Sequence, residues 1–139
     1  MTIYVTRKHA GNLAKKIKET PFVLSKTPRT LRELIAELVL ICIQEDRARA
    51  QQSETPQPLS DEQLAEMREI GKFAFGVHYN QTEPDPERAF QTALEAVEDG
   101  LVRVFRGRDE LTALDDPVSI SDGDVFTFVR LTMLSGRLW

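Results

Sequence analysis

Two pairs of aspartates near the end of the sequence have a type and spacing that suggest chemistry. Asp115 and Asp116 are adjacent, and Asp122 and Asp124 flank Gly123. Carboxylates this close together suggest cation binding, but the regular spacing of ligands in an EF-hand loop is missing. Asp and Gly at such spacing are also typical of tight turns. We therefore interpret both pairs as turns and expect neither metal ligands nor a cofactor.

Other residues that often act as nucleophiles, bases or phosphate ligands do not form a recognisable set. His9 and His78 lie far apart in the sequence, and neither has ligand spacing to another His, Cys or paired carboxylate. The serines occur in expected caps, turns and strands, without a nucleophile-elbow sequence. Gly71 and Gly76 match no phosphate-binding or dinucleotide-binding pattern. The sequence therefore predicts no catalytic residues, and we expect a protein that is not an enzyme.

Two groups of residues are candidates for binding a protein partner. Trp and Met are enriched in interface cores, so the apolar end of the chain is the first group: Met133, Leu134, Leu138 and Trp139. The alternative is that Trp139 folds back onto its own sheet. The second group consists of four arginines, of which Arg103 and Arg130 become neighbours if their two strands pair: Arg103, Arg106, Arg108 and Arg130. A solvated sheet face explains these arginines equally well.

The charge of the chain is unevenly distributed. Residues 1–32 contain eight basic residues and one acidic residue, a net charge of +7, whereas residues 61–99 contain ten acidic and three basic residues, a net charge of −7. Such asymmetry indicates either a charged partner or an internal match between the two regions. Few aromatic residues lie among the basic ones, which argues against binding of single-stranded nucleic acid.

The composition is that of a globular protein inside the cell. The chain has 139 residues, of which 41% are hydrophobic and 29% charged, and this length suits one domain over 1–139. The residues after Met1 lack the apolar region of a signal peptide. The most apolar stretch, 34–43, is about half the ~20 residues that span a bilayer. We expect a cytoplasmic protein whose one cysteine, Cys42, is a buried thiol.

The elements that must position these residues begin with two strands and a helix. Residues 2–6 have β-branched and aromatic side chains in a period of two, and residues 22–24 form a second short strand. Thr30 and Glu33 form a capping box, which predicts a helix to about residue 50. Residues 38–43 are six apolar residues in a row, so this helix must be covered on several sides. The middle of the chain or a second copy of the protein supplies that cover.

The middle of the chain predicts a helical insertion. After a proline-containing loop, a second capping box at Ser60 predicts a helix to about residue 70, and residues 71–77 alternate like a short strand or extended arm. Asp85 before Pro86 begins another helix, which Gly100 ends. We expect residues 60–99 to pack on the outer side of the first helix, as a stack of sheet, helix and helix.

The last forty residues predict a sheet. A strand over 101–106 is followed by a turn at 107–109, a brief extended piece at 117–120, and a turn at 121–124. A long strand over 125–134 ends this region, with Val125, Thr127 and Val129 on one of its faces and Phe126 and Phe128 on the other.

This order of elements resembles the ubiquitin-like β-grasp superfamily. The stretches that carry the resemblance are 1–5, 30–35, the strand and glycine turn at 101–107, and Ile120-Ser121-Asp122-Gly123-Asp124, which is similar to the L-x-x-G-D sequence of small sulfur-carrier proteins. The resemblance covers about residues 1–50 and 100–134, with 51–99 as an insertion. It implies an α+β fold in which strands 2–6 and 125–134 pair in parallel and the 30–50 helix crosses one face.

The resemblance leaves two functions open. Sulfur carriers and protein modifiers of this superfamily resemble one another in a C-terminal pair of glycines, whose carboxylate is activated. The last residues of this chain contain a single glycine, Gly136, and the bulky Trp139. We therefore expect a non-catalytic interaction module or adaptor that binds a protein partner. The alternative is a carrier or modifier activated at its C-terminus. If the insertion covers the first helix incompletely, a two-fold dimer is the simplest form of self-association.

Overall fold

The computed structural model describes residues 1–9, 19–51, 61–75 and 85–131, which form an α+β fold with one open mixed sheet. The helices of this part of the chain are α1 (Leu31–Gln51), α2 (Asp61–Phe75) and α3 (Pro86–Glu98). Its strands are β1 (Thr2–His9), β2 (Thr20–Val23), β3 (Val102–Arg106), β4 (Asp109–Leu111) and β5 (Val125–Arg130), in the spatial order β2-β1-β5-β3-β4.

The first and last strands form the centre of the sheet. β1 and β5 pair in parallel, with Val5 opposite Phe126, as expected from the sequence. The turn before β5 fixes this register, because the Thr2 N–H donates to Asp122 Oδ1 at 2.7 Å and the Gly123 N–H donates to the Thr2 carbonyl at 2.7 Å. Gly123 has a φ of 89°, a conformation that glycine adopts without steric cost.

The start of α1 follows its sequence signals closely. Thr30 Oγ1 accepts a hydrogen bond from the Glu33 N–H at 3.2 Å, as an N-cap residue should. Glu33 Oε1 accepts from the Arg29 N–H at 3.0 Å, one residue before the partner that a standard capping box would use. Four of the six apolar residues at 38–43 are fully buried, whereas Leu40 is 39% exposed. The helix is thus covered on nearly all sides, as its composition requires.

The helix α2 is longer than the sequence pattern suggested. The expected strand or arm at 71–77 is wrong for residues 71–75, which form the last part of α2; residues 76 and 77 lie outside the described part of the chain. Met67, Ile70 and Ala74 are buried at helical spacing, and Phe75 is buried beside them. Burial of this stripe outweighs the period-two pattern of the phenylalanines. The helix α3 begins and ends as predicted, with Asp85 accepting from the Glu87 N–H at 3.0 Å and Gly100 at a φ of 77°.

The insertion helices contact the sheet as well as α1. The rings of Phe75 in α2 and Phe128 in β5 meet edge to face with centroids 5.2 Å apart. The helix α2 also contacts α1, where Cys42 Sγ lies 3.7 Å from the Met67 carbonyl. The helix α3 contacts both α1 and β3. The expected stack of sheet, helix and helix is therefore wrong in this respect, because the insertion encloses α1 from the side and completes the layer of helices on the sheet.

The short fourth strand lies earlier than expected. β4 (Asp109–Leu111) forms a hairpin with β3 through Gly107, which has a φ of 61°. Residues 117–120 were expected to be a brief extended piece, and they form no strand of the sheet. Instead, Pro117 makes an isolated bridge to Thr30, and the Val118 N–H donates to the Arg29 carbonyl. The long connection to β5 is therefore held against the start of α1, and the tight glycine turn accounts for the earlier strand.

An ion pair between α1 and this connection predicts a measurable pH effect. Arg32 donates to both carboxylate oxygens of Asp115, at 2.8 Å and 3.1 Å, and this contact lowers the pKa of Asp115 below its ordinary value. An Asp pKa that is lower in the folded state adds stability above the unfolded-state pKa, and this stability is lost as the pH falls through the folded-state pKa. We expect Arg32→Gln to raise the pKa of Asp115 in an NMR titration, while Arg88→Gln, at an exposed position of α3, leaves it unchanged. An unchanged pKa in Arg32→Gln would show that the pair does not persist in solution.

Candidate protein-interaction surface

The sheet has one face under the helices and one face that no described helix covers. Side chains along a strand alternate between the two faces of a sheet. In β5, Phe126 and Phe128 are fully buried under the helices, and Val125, Thr127 and Val129 point the other way and are partly exposed. The sheet therefore presents a second surface with its own side chains.

Neighbouring strands continue this second surface across the sheet. β1 places Tyr4 beside Val125, and β3 places Phe105 beside Thr127. The open face is defined here by ten described residues that the register places on this side of the sheet: Tyr4, Thr6, Lys8, Val23, Arg103, Phe105, Glu110, Val125, Thr127 and Val129. Lys8 and Arg103 lie at the end of the sheet where β1 and β5 finish, and Glu110 lies on the outer strand opposite Phe105.

A hydrogen bond joins two hydroxyl groups in the middle of the open face. Thr6, which lies beside Thr127 in the register, donates from Oγ1 to Thr127 Oγ1 at 2.9 Å. Thr6 is only 2% exposed, so its hydroxyl group is withdrawn from solvent at this point of the sheet. The partly exposed residues around the pair, Tyr4, Phe105, Val125 and Val129, are aromatic or aliphatic. Val23, at the β2 end of the same face, is 68% exposed.

The edges of the sheet are poorly suited to binding another strand. The Leu24 N–H donates to the Met1 carbonyl. Because hydrogen-bonded and non-hydrogen-bonded pairs alternate along an antiparallel ladder, Pro21 and Val23 are the β2 residues whose backbone polar groups face away from β1. Pro21 has no N–H to donate, which is a common way of protecting an edge. At the other edge, β4 is three residues long. The open face is therefore a better candidate for partner binding than either edge.

The two arginines predicted to be neighbours lie on opposite faces of the sheet. β3 and β5 do pair, but Arg103 lies opposite Val129 and Arg130 lies opposite Val102. Arg103 belongs to the open face, where its Nε lies 3.9 Å from Glu110 Oε2. Arg130 is on the helix side, beside a groove that Phe75, Glu95 and Asp99 help to line. The prediction that these arginines are neighbours is wrong. They are offset by one residue in the register of β3 and β5, and such an offset places two side chains on opposite faces of the sheet.

The remaining candidates lie outside the described residues: Met133, Leu134, Leu138 and Trp139. The end of the chain, on which the carrier alternative depends, also lies outside the described residues. Sequence reasoning did not select Tyr4 or Phe105. The alternation in β1 and β5 was visible in the sequence, but it cannot say which of two half-apolar faces the helices will cover.

Within the described residues, the basic start of the chain contacts the acidic insertion through Arg7. Arg7 of β1 donates from Nε to Glu66 Oε2 of α2 at 2.6 Å and from Nη2 to Oε1 at 3.3 Å. The hydrogen bond to Glu66 raises the pKa of Arg7, against the opposing effect of burial. An internal match of charge, one of the two interpretations of the asymmetry, is therefore present at Arg7.

Three of the four aspartates considered first have structural partners. Asp122 and Asp124 accept hydrogen bonds from the Thr2 and Ser121 N–H groups, and Asp115 pairs with Arg32. In the part of the chain that the structure describes, no three His, Cys, Asp or Glu side chains are grouped as a metal site.

The helices described here are too short or too polar to cross a membrane. Comparison of the chain with protein-family models, with curated proteins and with solved structures finds no match.

Proposed function

We propose that the chain is a ubiquitin-like β-grasp domain with a helical insertion. Three features support this: the hairpin of β1 and β2 precedes α1, β1 and β5 pair in parallel at the centre, and β3 pairs with β5. The insertion between α1 and β3 accounts for α2 and α3. The buried thiol of Cys42 suits a reducing compartment such as the cytoplasm.

The function that this arrangement supports best is that of a non-catalytic interaction module, which binds a protein partner through the open face. One observation carries the proposal: a sheet face without described helices presents Tyr4, Phe105, Val125 and Val129, all partly exposed, as one apolar surface. Grouped apolar residues at a surface are typical of protein interaction sites. Aromatic residues such as Tyr4 and Phe105 are enriched in the cores of such interfaces.

The test compares apolar residues on and off the open face. The tagged full chain is used to capture proteins from its native host, and each captured protein is quantified for three forms of the chain. We expect at least one protein to be bound by the unmodified chain and to be reduced about tenfold or more by the double variant Phe105→Ala/Val129→Ala. A tenfold loss corresponds to about 1.4 kcal/mol, a usual size for truncation at an interface core.

The matched control is Leu40→Ala/Leu101→Ala, which removes two exposed apolar side chains that lie in α1 and before β3. This variant should bind as the unmodified chain does, and thermal unfolding should show that all three forms are folded. The binary complex with the captured protein is then reconstituted and its dissociation constant measured. Equal capture by the open-face variant and the control would refute the proposal.

A further inference from the structure

One end of the open face carries two positive charges on either side of an apolar residue. Lys8 of β1 lies opposite Val129 of β5, and Val129 lies opposite Arg103 of β3. Because neighbouring strands are about 4.8 Å apart, the Cα atoms of Lys8 and Arg103 are roughly 10 Å apart across this row. Both side chains are on the same face, since all three residues occupy matching register positions.

The charge of Arg103 is only weakly paired within the sheet. The Arg103 side chain is 52% exposed, and its contact with Glu110 is 3.9 Å long, near the limit for an ion pair. An exposed pair of this kind contributes little and is readily exchanged for a carboxylate of a partner. The strands β1 and β2 also come from the stretch 1–32, which has a net charge of +7.

We propose that the partner of the open face is a protein segment that combines apolar side chains with aspartate or glutamate. The apolar residues would cover Tyr4, Phe105 and Val125, and the carboxylates would lie against Lys8 and Arg103. Opposite charges at the rim of an interface guide association and fix orientation. This inference rests on the proposed function of the open face and adds the chemistry of the partner.

Two other occupants are less consistent with the observations. Single-stranded nucleic acid stacks on aromatic residues beside cations, but the chain has a net charge of −4 and Glu110 lies beside Arg103. A second copy of the chain in a two-fold face-to-face pair would bring its own Lys8 and Arg103, together with Glu110, to the interface. Both occupants are outcomes of the experiment below.

The experiment uses a displayed library of random twelve-residue peptides as the probe, selected against the immobilised full chain. We expect the selected peptides to contain apolar residues together with Asp or Glu, and to bind about tenfold or more weakly to Lys8→Glu/Arg103→Glu. Their affinity should also fall with added salt. Lys26→Glu, a charge reversal between β2 and α1, is the matched control and should bind normally. If the double charge reversal does not fold, Lys8→Gln/Arg103→Gln replaces it with the same expected direction.

The outcomes separate this inference from the proposed function. Peptides that need Phe105 and Val129 but not Lys8 and Arg103 would overturn the acidic partner and leave the interaction module intact. If no selected peptide depends on the open face, both proposals fail. Binding of a uridine or thymidine homopolymer that Phe105→Ala abolishes would assign the face to nucleic acid. A dimer in sedimentation velocity that Phe105→Ala/Val129→Ala disrupts would assign it to a second copy, and either result overturns the inference.

Discussion

Leu38→Ala is expected to lower the free energy of unfolding by about 2–5 kcal/mol, the range for large-to-small changes in a core. Leu38 in α1 has no exposed surface and belongs to the core cluster that also includes residues of the sheet and the insertion helices. The substitution removes apolar contacts and leaves a cavity that the packed surroundings fill only in part. Chemical denaturation followed by circular dichroism measures the change.

Leu40→Ala is the matched control, because it makes the same chemical change two residues away in the same helix. Leu40 is 39% exposed, so its truncation should cost clearly less than that of Leu38. Leucine and alanine both have a high helix propensity, so neither variant weakens the helix itself. The difference between their free energies of unfolding therefore reports how deeply each side chain is buried. Equal effects at the two positions would contradict the enclosed position of α1.

Phe75→Ala is expected to cost about 3–5 kcal/mol, the range for truncation of a buried phenylalanine. Its ring is buried and meets the ring of Phe128 edge to face at 5.2 Å. Aromatic pairs in this geometry contribute about 0.5–1.5 kcal/mol beyond their buried area. A loss of this size would establish that the insertion is part of the core.

Phe90→Ala is the control for this second prediction. Phe90 is also in an insertion helix, α3, but it is only partly buried, so the same truncation should have a smaller effect. Denaturant unfolding of both variants gives the comparison. If Phe75→Ala changes stability by no more than about 0.5 kcal/mol, as at a surface position, then the insertion is a peripheral arm.

Much of the fold could be predicted because several local signals agree with the final packing. Thr30 and Glu33 start α1, Asp85 starts α3, and the parallel pairing of the first and last strands is present. The failures occurred where tertiary burial overrides a local pattern. Phe73 and Phe75 alternate like a strand, yet the burial of Met67, Ile70 and Ala74 continues the helix through them.

The candidate site was less predictable than the fold, for a geometric reason. Strand alternation separates the side chains of β5 into two groups, but the covered group is decided by helices that are distant in sequence. Arg103 and Arg130 show the difficulty, because their strands pair as expected while the register places them on opposite faces. Residues of the open face such as Tyr4 and Phe105 become a surface only once the register is known.

The central pairing of β1 with β5 also constrains when the protein can acquire its structure during synthesis. Thr6 and Thr127, which are hydrogen-bonded at the middle of the sheet, are 121 residues apart in the chain. Contacts this distant slow folding, because the cost of closing the loop precedes any stabilisation. The middle of the sheet cannot close until the ribosome has released β5. Until then β1 lacks its central neighbour in the sheet, and the apolar side chains that pack against Phe126 and Phe128 stay accessible to chaperones that bind exposed apolar segments.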